Sequence, residues 1–201
     1  MARLNPNAAL DCLFIVDYLR KHQENVTSQK VHLFSYLACL LWLFSEQALS
    51  NWEYNFVGTE LGAPFSQEID AVIEEFNERG YIIKHSSGLK LSELAVNRLK
   101  AFAGLSMNES RIKCLQAACE TIMAFSSGMI GAALSNEPDL KRAYSIQDSR
   151  MLLEDSARDQ LYVQFAALKK ALKQNGTDLR LPALIWITAL YQSNEQVAEK
   201  S

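Results

Sequence analysis

No apolar run in this chain is long enough to cross a bilayer. Spanning takes about 20 residues, and the most apolar stretch, Leu33 to Phe44, has only twelve. It reads instead as a helix buried on nearly all sides, and no membrane is expected among the partners. No secretory leader is recognisable: Met1-Ala2-Arg3-Leu4-Asn5-Pro6 runs directly into a helical pattern without an apolar core or a cleavage site, so a cytoplasmic chain is expected. Cysteine is scarce. Cys12, Cys39, Cys114 and Cys119 each sit inside an apolar helical pattern, which predicts reduced, buried thiols. Cys114 and Cys119 are five apart, so on a helix they diverge and make a poor metal pair. His22, His32 and His85 fall in three different elements, and there is no HExxH or CxxC spacing. No metal and no cofactor is therefore expected. There is no GxxxxGK[ST] loop either, so the chain is not expected to hydrolyse a nucleotide by itself. Repeats, low-complexity tracts and flexible linkers are missing. A net charge of −3 over 201 residues gives no sign of a nucleic-acid coat or a membrane-surface protein.

What is present is 49% apolar and 21% charged, a globular balance with ample material for a core. Asn5-Pro6 opens a helix that runs to about Lys21, with Leu10, Leu13, Phe14 and Tyr18 in its pattern. Asn25-Val26-Thr27-Ser28 breaks it, and Ser28 is the candidate cap of the buried second helix. Asn51 to Val57 alternates Trp52, Tyr54 and Phe56 with Glu53 and Asn55, which predicts a half-buried strand. After Gly104 the pattern is helical throughout. Asn108 is a candidate cap, Gly128 an interruption, and Asn136-Glu137-Pro138 the clearest break. A long helix is predicted from Ser149 to Gln174, ended by Asn175-Gly176, and Leu181-Pro182 opens a last one. The predicted class is mainly α: a winged-helix half over 1–105 with a small β-hairpin, packed on a helical bundle over 106–201.

The most informative stretch is Phe56 to Leu91. It reads as strand, tight loop, amphipathic helix and β-hairpin, the layout of a winged helix. Gly58 to Pro64 is the turn. Ser66 is placed to cap a helix whose inner stripe is Phe65, Ile69, Val72, Ile73 and Phe76. Gly80 supplies a left-handed stop, and Ser86-Ser87-Gly88 links Tyr81-Ile82-Ile83 to Leu89-Lys90-Leu91. The helix that would enter a DNA groove carries Glu68, Asp70, Glu74, Glu75 and Glu78 against Arg79 alone. Between Ser28 and Leu105, nine acidic residues stand against six basic ones, net −3. Groove-reading elements supply Lys and Arg to meet phosphates, so this helix points to a polypeptide partner. A charge run is by default a solvated face; what distinguishes this one is its place on the element a winged helix presents. Lys84 and Lys90 on the wing are the candidate DNA contacts of the alternative reading, a DNA-binding transcriptional regulator. Lys169, Lys170 and Lys173 form the other compact basic cluster, expected on the solvent side of the long helix.

The one fragment with enzymatic overtones is Pro138-Asp139-Leu140-Lys141. Metal-dependent nucleases bring two carboxylates and a lysine together from different strands. Here the fragments overlap within four residues, and Asp139 is expected to cap the turn after Pro138. The chain is read as a non-enzyme, with the nuclease as the least favoured alternative. Gly58-x-x-x-Gly62 lacks the βαβ setting that gives glycine loops their phosphate-binding meaning.

The succession VHLFSYLACLLWLF, W-x-Y-x-F, GTELGAPFSQEID, ERGYI and LKLSELA resembles the small middle subunit of three-component ABC systems, the Lamassu-type anti-phage and anti-plasmid systems among them. The likeness covers about residues 10–105 and is closest at Gly62-Ala63-Pro64-Phe65-Ser66 and Gly80-Tyr81-Ile82. The same elements are similar to winged-helix accessory subunits of bacterial condensins. The resemblance implies a subunit without catalytic residues that joins an SMC-like ATPase to an effector, commonly a nuclease, and meets DNA only through the complex. It places Gly62, Pro64, Phe65, Glu68, Glu74, Glu75 and Glu78 on the surface expected to meet a partner.

Overall fold

The computed structural model describes residues 4–22, 24–172 and 178–198. α1 (Pro6–Lys21) starts as its sequence predicts: the Asn5 carboxamide accepts from the N–H groups of Asn7 and Ala8 at 2.9 and 3.0 Å. Pro6 occupies the first turn, where a missing N–H costs nothing. α2 (Ser28–Phe44) is capped one residue earlier than expected, by the Thr27 hydroxyl on the N–H of Lys30. Thirteen of its 17 residues are buried, which makes it the central strut.

The predicted 51–57 strand is not one. A single 3₁₀ turn (Leu49–Trp52) is followed by extended chain, and only Val57–Gly58 (β1) pairs. The alternation that suggested a strand is real: Trp52, Tyr54 and Phe56 are buried, while Glu53 and Asn55 face out. The three rings pack as a row, with centroids 5.7 and 5.3 Å apart, so aromatic packing holds this segment extended where ladder bonds were expected. β1 turns through residues 59–63 into β2 (Pro64–Phe65), pairing Val57 with Phe65.

α3 (Gln67–Glu78) buries Ile69, Val72 and Ile73 against α1 and α2. Gly80, at φ +69°, ends it in the left-handed region glycine favours. β3 (Ile82–His85) and β4 (Gly88–Leu91) form the expected hairpin. Val26, between α1 and α2, adds a one-residue bridge: the Leu89 N–H donates to its carbonyl at 2.7 Å. α4 (Glu93–Ala103) is capped by the Ser92 hydroxyl.

The second half holds α5 (Glu109–Glu120), α6 (Ser127–Leu134), α7 (Pro138–Ile146), α8 (Asp155–Leu172) and α9 (Arg180–Ala198). Three local predictions change. The Asn108 carboxamide donates to the Phe102 carbonyl and leaves α5 without a side-chain cap. The break before α6 falls at residues 121–126, ahead of Gly128. The predicted 149–174 helix starts late, because Arg150–Met151 (β5) joins β1 to give a sheet ordered β2-β1-β5. Gln147 (φ +50°) closes α7, and Leu153 (φ +61°) turns the chain into α8. The predicted end at Gln174-Asn175-Gly176 lies outside the described residues.

Residue 105 does not separate two cores. One apolar cluster draws on both halves, α5 packs along α2, and β1 pairs with β5 across the division. No single helix among the described residues is long and apolar enough to cross a membrane.

Candidate functional site

Burying one stripe of α3 against α1 and α2 leaves Gln67, Ala71, Glu74 and Glu78 on the exposed side, with Glu68, Asp70 and Glu75 half-buried beside them. Ser66 stands at the cap position but does not cap. Its hydroxyl bonds to the Glu68 carboxylate at 2.9 Å, and its own N–H donates to Nδ1 of His32 at 3.2 Å. His32 is buried in α2, and its ring lies 4.8 Å from that of Phe65. Burial pulls the imidazole down to about 4, with the Asp70 carboxylate acting in the opposite direction.

The structure brings the acidic helix and the wing together. Lys84 Nζ lies 2.6 Å from the Glu74 carboxylate, and Arg79 pairs with Glu75 one turn back. Both cations that could have offset the acids are thus already engaged by them. Lys90 is exposed and takes part in no ion pair among the described residues. The wing is anchored on its other side, where Arg20 Nη1 donates to the Ser87 carbonyl at 3.2 Å.

The turn before α3 is placed differently from the expectation. Gly62 is buried beneath Tyr144 of α7, with 3.3 Å between the position of an added Cβ and the Tyr144 Cβ. Pro64 is buried in β2, and Phe65 is half-buried on His32. What the turn shows to solvent is Glu60, Leu61, at 76% exposure, and Ala63. Of the seven residues expected to meet a partner, the helix acids are accessible, whereas Gly62 and Pro64 serve the chain's own packing.

Two shallow hollows adjoin the start of α3, of about 570 and 270 Å³, and both are bordered by Glu53 and Glu68. The smaller one also touches Tyr54, Leu153 and Arg158.

Asp139 and Lys141 do not converge. Asp139 is 3% exposed and accepts from the N–H of Leu153 at 2.8 Å, whereas Lys141 stands in solvent on α7. The cap of α7 is Glu137, whose Oε2 accepts from the Leu140 N–H at 3.0 Å. The Lys169–Lys170–Lys173 cluster is also not a free patch. Lys169 pairs with Glu46 at 2.5 Å and lies 5.1 Å over the Phe44 ring, Lys170 is exposed, and Lys173 lies outside the described residues. No group of three or more His, Cys, Asp or Glu among the described residues is placed to hold a metal ion.

Two buried polar assemblies escaped sequence reasoning. In the first, Arg111 of α5 donates from Nε and Nη2 to the two carboxylate oxygens of Asp11 in α1, at 2.6 and 2.7 Å, and Tyr54 donates to the same carboxylate at 2.5 Å. Burial alone would lower the guanidinium's proton affinity; the Asp11 charge reverses this and raises it. In the second, the Tyr36 hydroxyl of α2 donates to Glu137 Oε2 at 3.1 Å. Burial pushes the Glu137 carboxyl up to about 7, with the Asp139 charge adding to the rise and the Leu140 N–H opposing it. The available signal was a lone charge inside an apolar run, as in Leu10-Asp11-Cys12-Leu13.

In comparisons with known proteins, no family model, curated protein or solved structure matches the chain.

Proposed function

We propose that this chain is a non-catalytic adaptor subunit of a prokaryotic defence complex, built on a winged-helix N-terminal half and working in the cytoplasm. Its α3 face receives a polypeptide. On the resemblance stated above, the partners are an SMC-like ATPase and an effector, a nuclease by preference, and DNA is met through the complex. The winged-helix reading is supported by the order α1–α2–α3 followed by the β3–β4 hairpin, with Val26 in the place of a third strand.

The observation that carries the reading is the fate of Lys84, one of the wing's two lysines. Lys84 is drawn onto Glu74, so the surface a groove-binding winged helix would turn to phosphate stays negative. The position of the acids is also informative. Glu74, Glu75 and Glu78 occupy the C-terminal half of α3, the end at which a helix disfavours negative charge, and no basic residue lies in its last turn. For Glu75 and Glu78, which lie in the last turn, such placement costs about 0.3–1 kcal/mol each at low salt, which fits a surface shaped by something other than the helix's own stability.

The direct test is co-expression of the tagged chain with the SMC-like ATPase and effector candidates encoded beside it, followed by size-exclusion chromatography. A stoichiometric complex that survives moderate salt is the expected result. A chain that elutes alone in every combination would refute the adaptor.

A further inference from the structure

We propose that Glu137 and Asp139 act as a proton-operated latch on β5, holding residues 150–153 against β1 while the pair carries one proton and loosening them when it carries none. Four observations converge on this. Glu137 is fully buried and Asp139 is 3% exposed, two residues apart at the start of α7, so two carboxyl groups share one water-poor site. Glu137 spends one oxygen on structure: Oε2 accepts from Tyr36 and Leu140, while Oε1, also buried, has no hydrogen-bond partner. A proton on Oε1 therefore removes the charge without disturbing either bond. Asp139 reaches β5 directly, by accepting the N–H of Leu153, a leucine held at φ +61° where a β-carbon is disfavoured. The neighbouring Leu152 N–H donates to the Phe56 carbonyl at 2.8 Å, and the Phe56 ring stands edge-on to Tyr36 at 5.2 Å. The same tyrosine thus touches both the carboxyl and Phe56, the residue to which the 150–153 segment is bonded.

The charged and titratable groups facing Glu137 are few. α2 supplies Tyr36, α7 supplies Asp139, and β5 supplies Arg150, whose Nη2 stands 3.8 Å from Asp139. That distance is too long for a good hydrogen bond, and the Arg150 Nε is itself buried without a partner. One guanidinium at that range neutralises one carboxylate poorly and cannot neutralise two. Loss of the Glu137 proton therefore puts two like charges in a site of low polarity, and the element with the least to hold it is the two-residue strand β5. Glu137's carboxyl, pushed up to about 7 by burial, sets the change near neutrality. Leu153 borders the smaller hollow with Glu53 and Glu68, so release of 150–153 reshapes that wall.

The sign is fixed by linkage. The latched form binds the proton more tightly than the released form, so latching is strongest at low pH and weakens as pH rises toward 7, by at most about tenfold per unit. The test is amide exchange at Leu152 and Leu153 between pH 5.5 and 8.0. Rates are corrected for intrinsic base catalysis and expressed relative to core amides of Leu37 to Leu41. The wild-type protection ratio is expected to fall by about tenfold or more over this range. Glu137→Gln, which stays neutral, should remove the fall, and Asp139→Asn, which takes away the repelling charge, should move it to lower pH or abolish it. A level ratio in the wild-type chain overturns the latch without any variant. An undiminished fall in Glu137→Gln overturns it equally.

Discussion

Arg111 lies over Trp52, its guanidinium carbon 3.8 Å from the ring centroid, while Nη1 donates to the Trp52 carbonyl and the remaining edge grips Asp11. One side chain thereby ties α1, the 49–56 segment and α5 together, and the pair is sealed from water. Removing one partner of such a pair strands a buried charge, which typically costs about 3–5 kcal/mol. Arg111→Met is expected to lose that much in urea unfolding. Arg111→Lys should fall between the two, because an ammonium matches neither the bidentate carboxylate nor the indole face. A loss below about 1 kcal/mol for Arg111→Met would show that the site collapses harmlessly.

His32 gives a pH dependence of definite sign. Its imidazole is pulled from 6.5 to about 4 because burial, and the N–H of Ser66 that it accepts, require the neutral ring. The unfolded chain takes up the proton first, so this contribution is complete above pH 6.5 and is lost as pH falls toward 4. The total is up to about 3 kcal/mol. Glu137 acts the other way, its contribution being lost as pH rises from 4.5 to about 7, so the two are separated by difference. The stability gap between wild type and His32→Gln should shrink steadily from pH 7 to pH 4 in denaturant titrations. A gap that is constant with pH would mean that the ring is not held neutral.

Two glycines with similar backbone angles should respond very differently to alanine. Gly80 has φ +69° with nothing within 4 Å of an added Cβ, so Gly80→Ala meets only the left-handed penalty, about 1–2 kcal/mol. Gly88 has φ +93°, and its Cβ would stand 2.4 Å from the Val26 carbonyl oxygen and 2.3 Å from Asn25 Oδ1. Backbone cannot rotate out of the way, so Gly88→Ala must break the bridge that pins the wing to the α1–α2 junction. A thermal midpoint lowered at least twice as far for Gly88→Ala as for Gly80→Ala is the expected result.

How far these features were legible depended on whether they were local. The stripe Ile69-Val72-Ile73, the Asn5 cap and the Gly80 stop are encoded within a few residues, and they appear where the sequence puts them. The Trp52-Tyr54-Phe56 alternation predicted the right inward faces but the wrong element. A period of two reports which side is buried, and here the burial comes from packed rings in place of a sheet partner. β5 was hidden because a two-residue strand has no periodicity; only its pairing with β1, about ninety residues earlier, makes it a strand. The accessible acids of α3 followed from its helical phase. The burial of Gly62 did not, since Tyr144 lies far along the chain.

The electrostatic argument about α3 makes a last prediction, and it is independent of any named partner. Duplex DNA should not be retarded by the purified chain even at low salt, where a phosphate-binding surface is at its strongest. Reversing two outward acids, Glu74→Lys with Glu78→Lys, changes the face by four charges and releases Lys84 from its pairing at 2.6 Å. Both positions are exposed, so stability should stay within about 0.5 kcal/mol of wild type. If the carboxylates are what repels nucleic acid, the variant gains a weak, salt-sensitive DNA affinity through the wing and the reversed helix, while any complex formed through α3 is lost. Salt-dependent retardation by the unmodified chain would instead mean that Lys90 and its surroundings already suffice, and the regulator reading would then replace the adaptor.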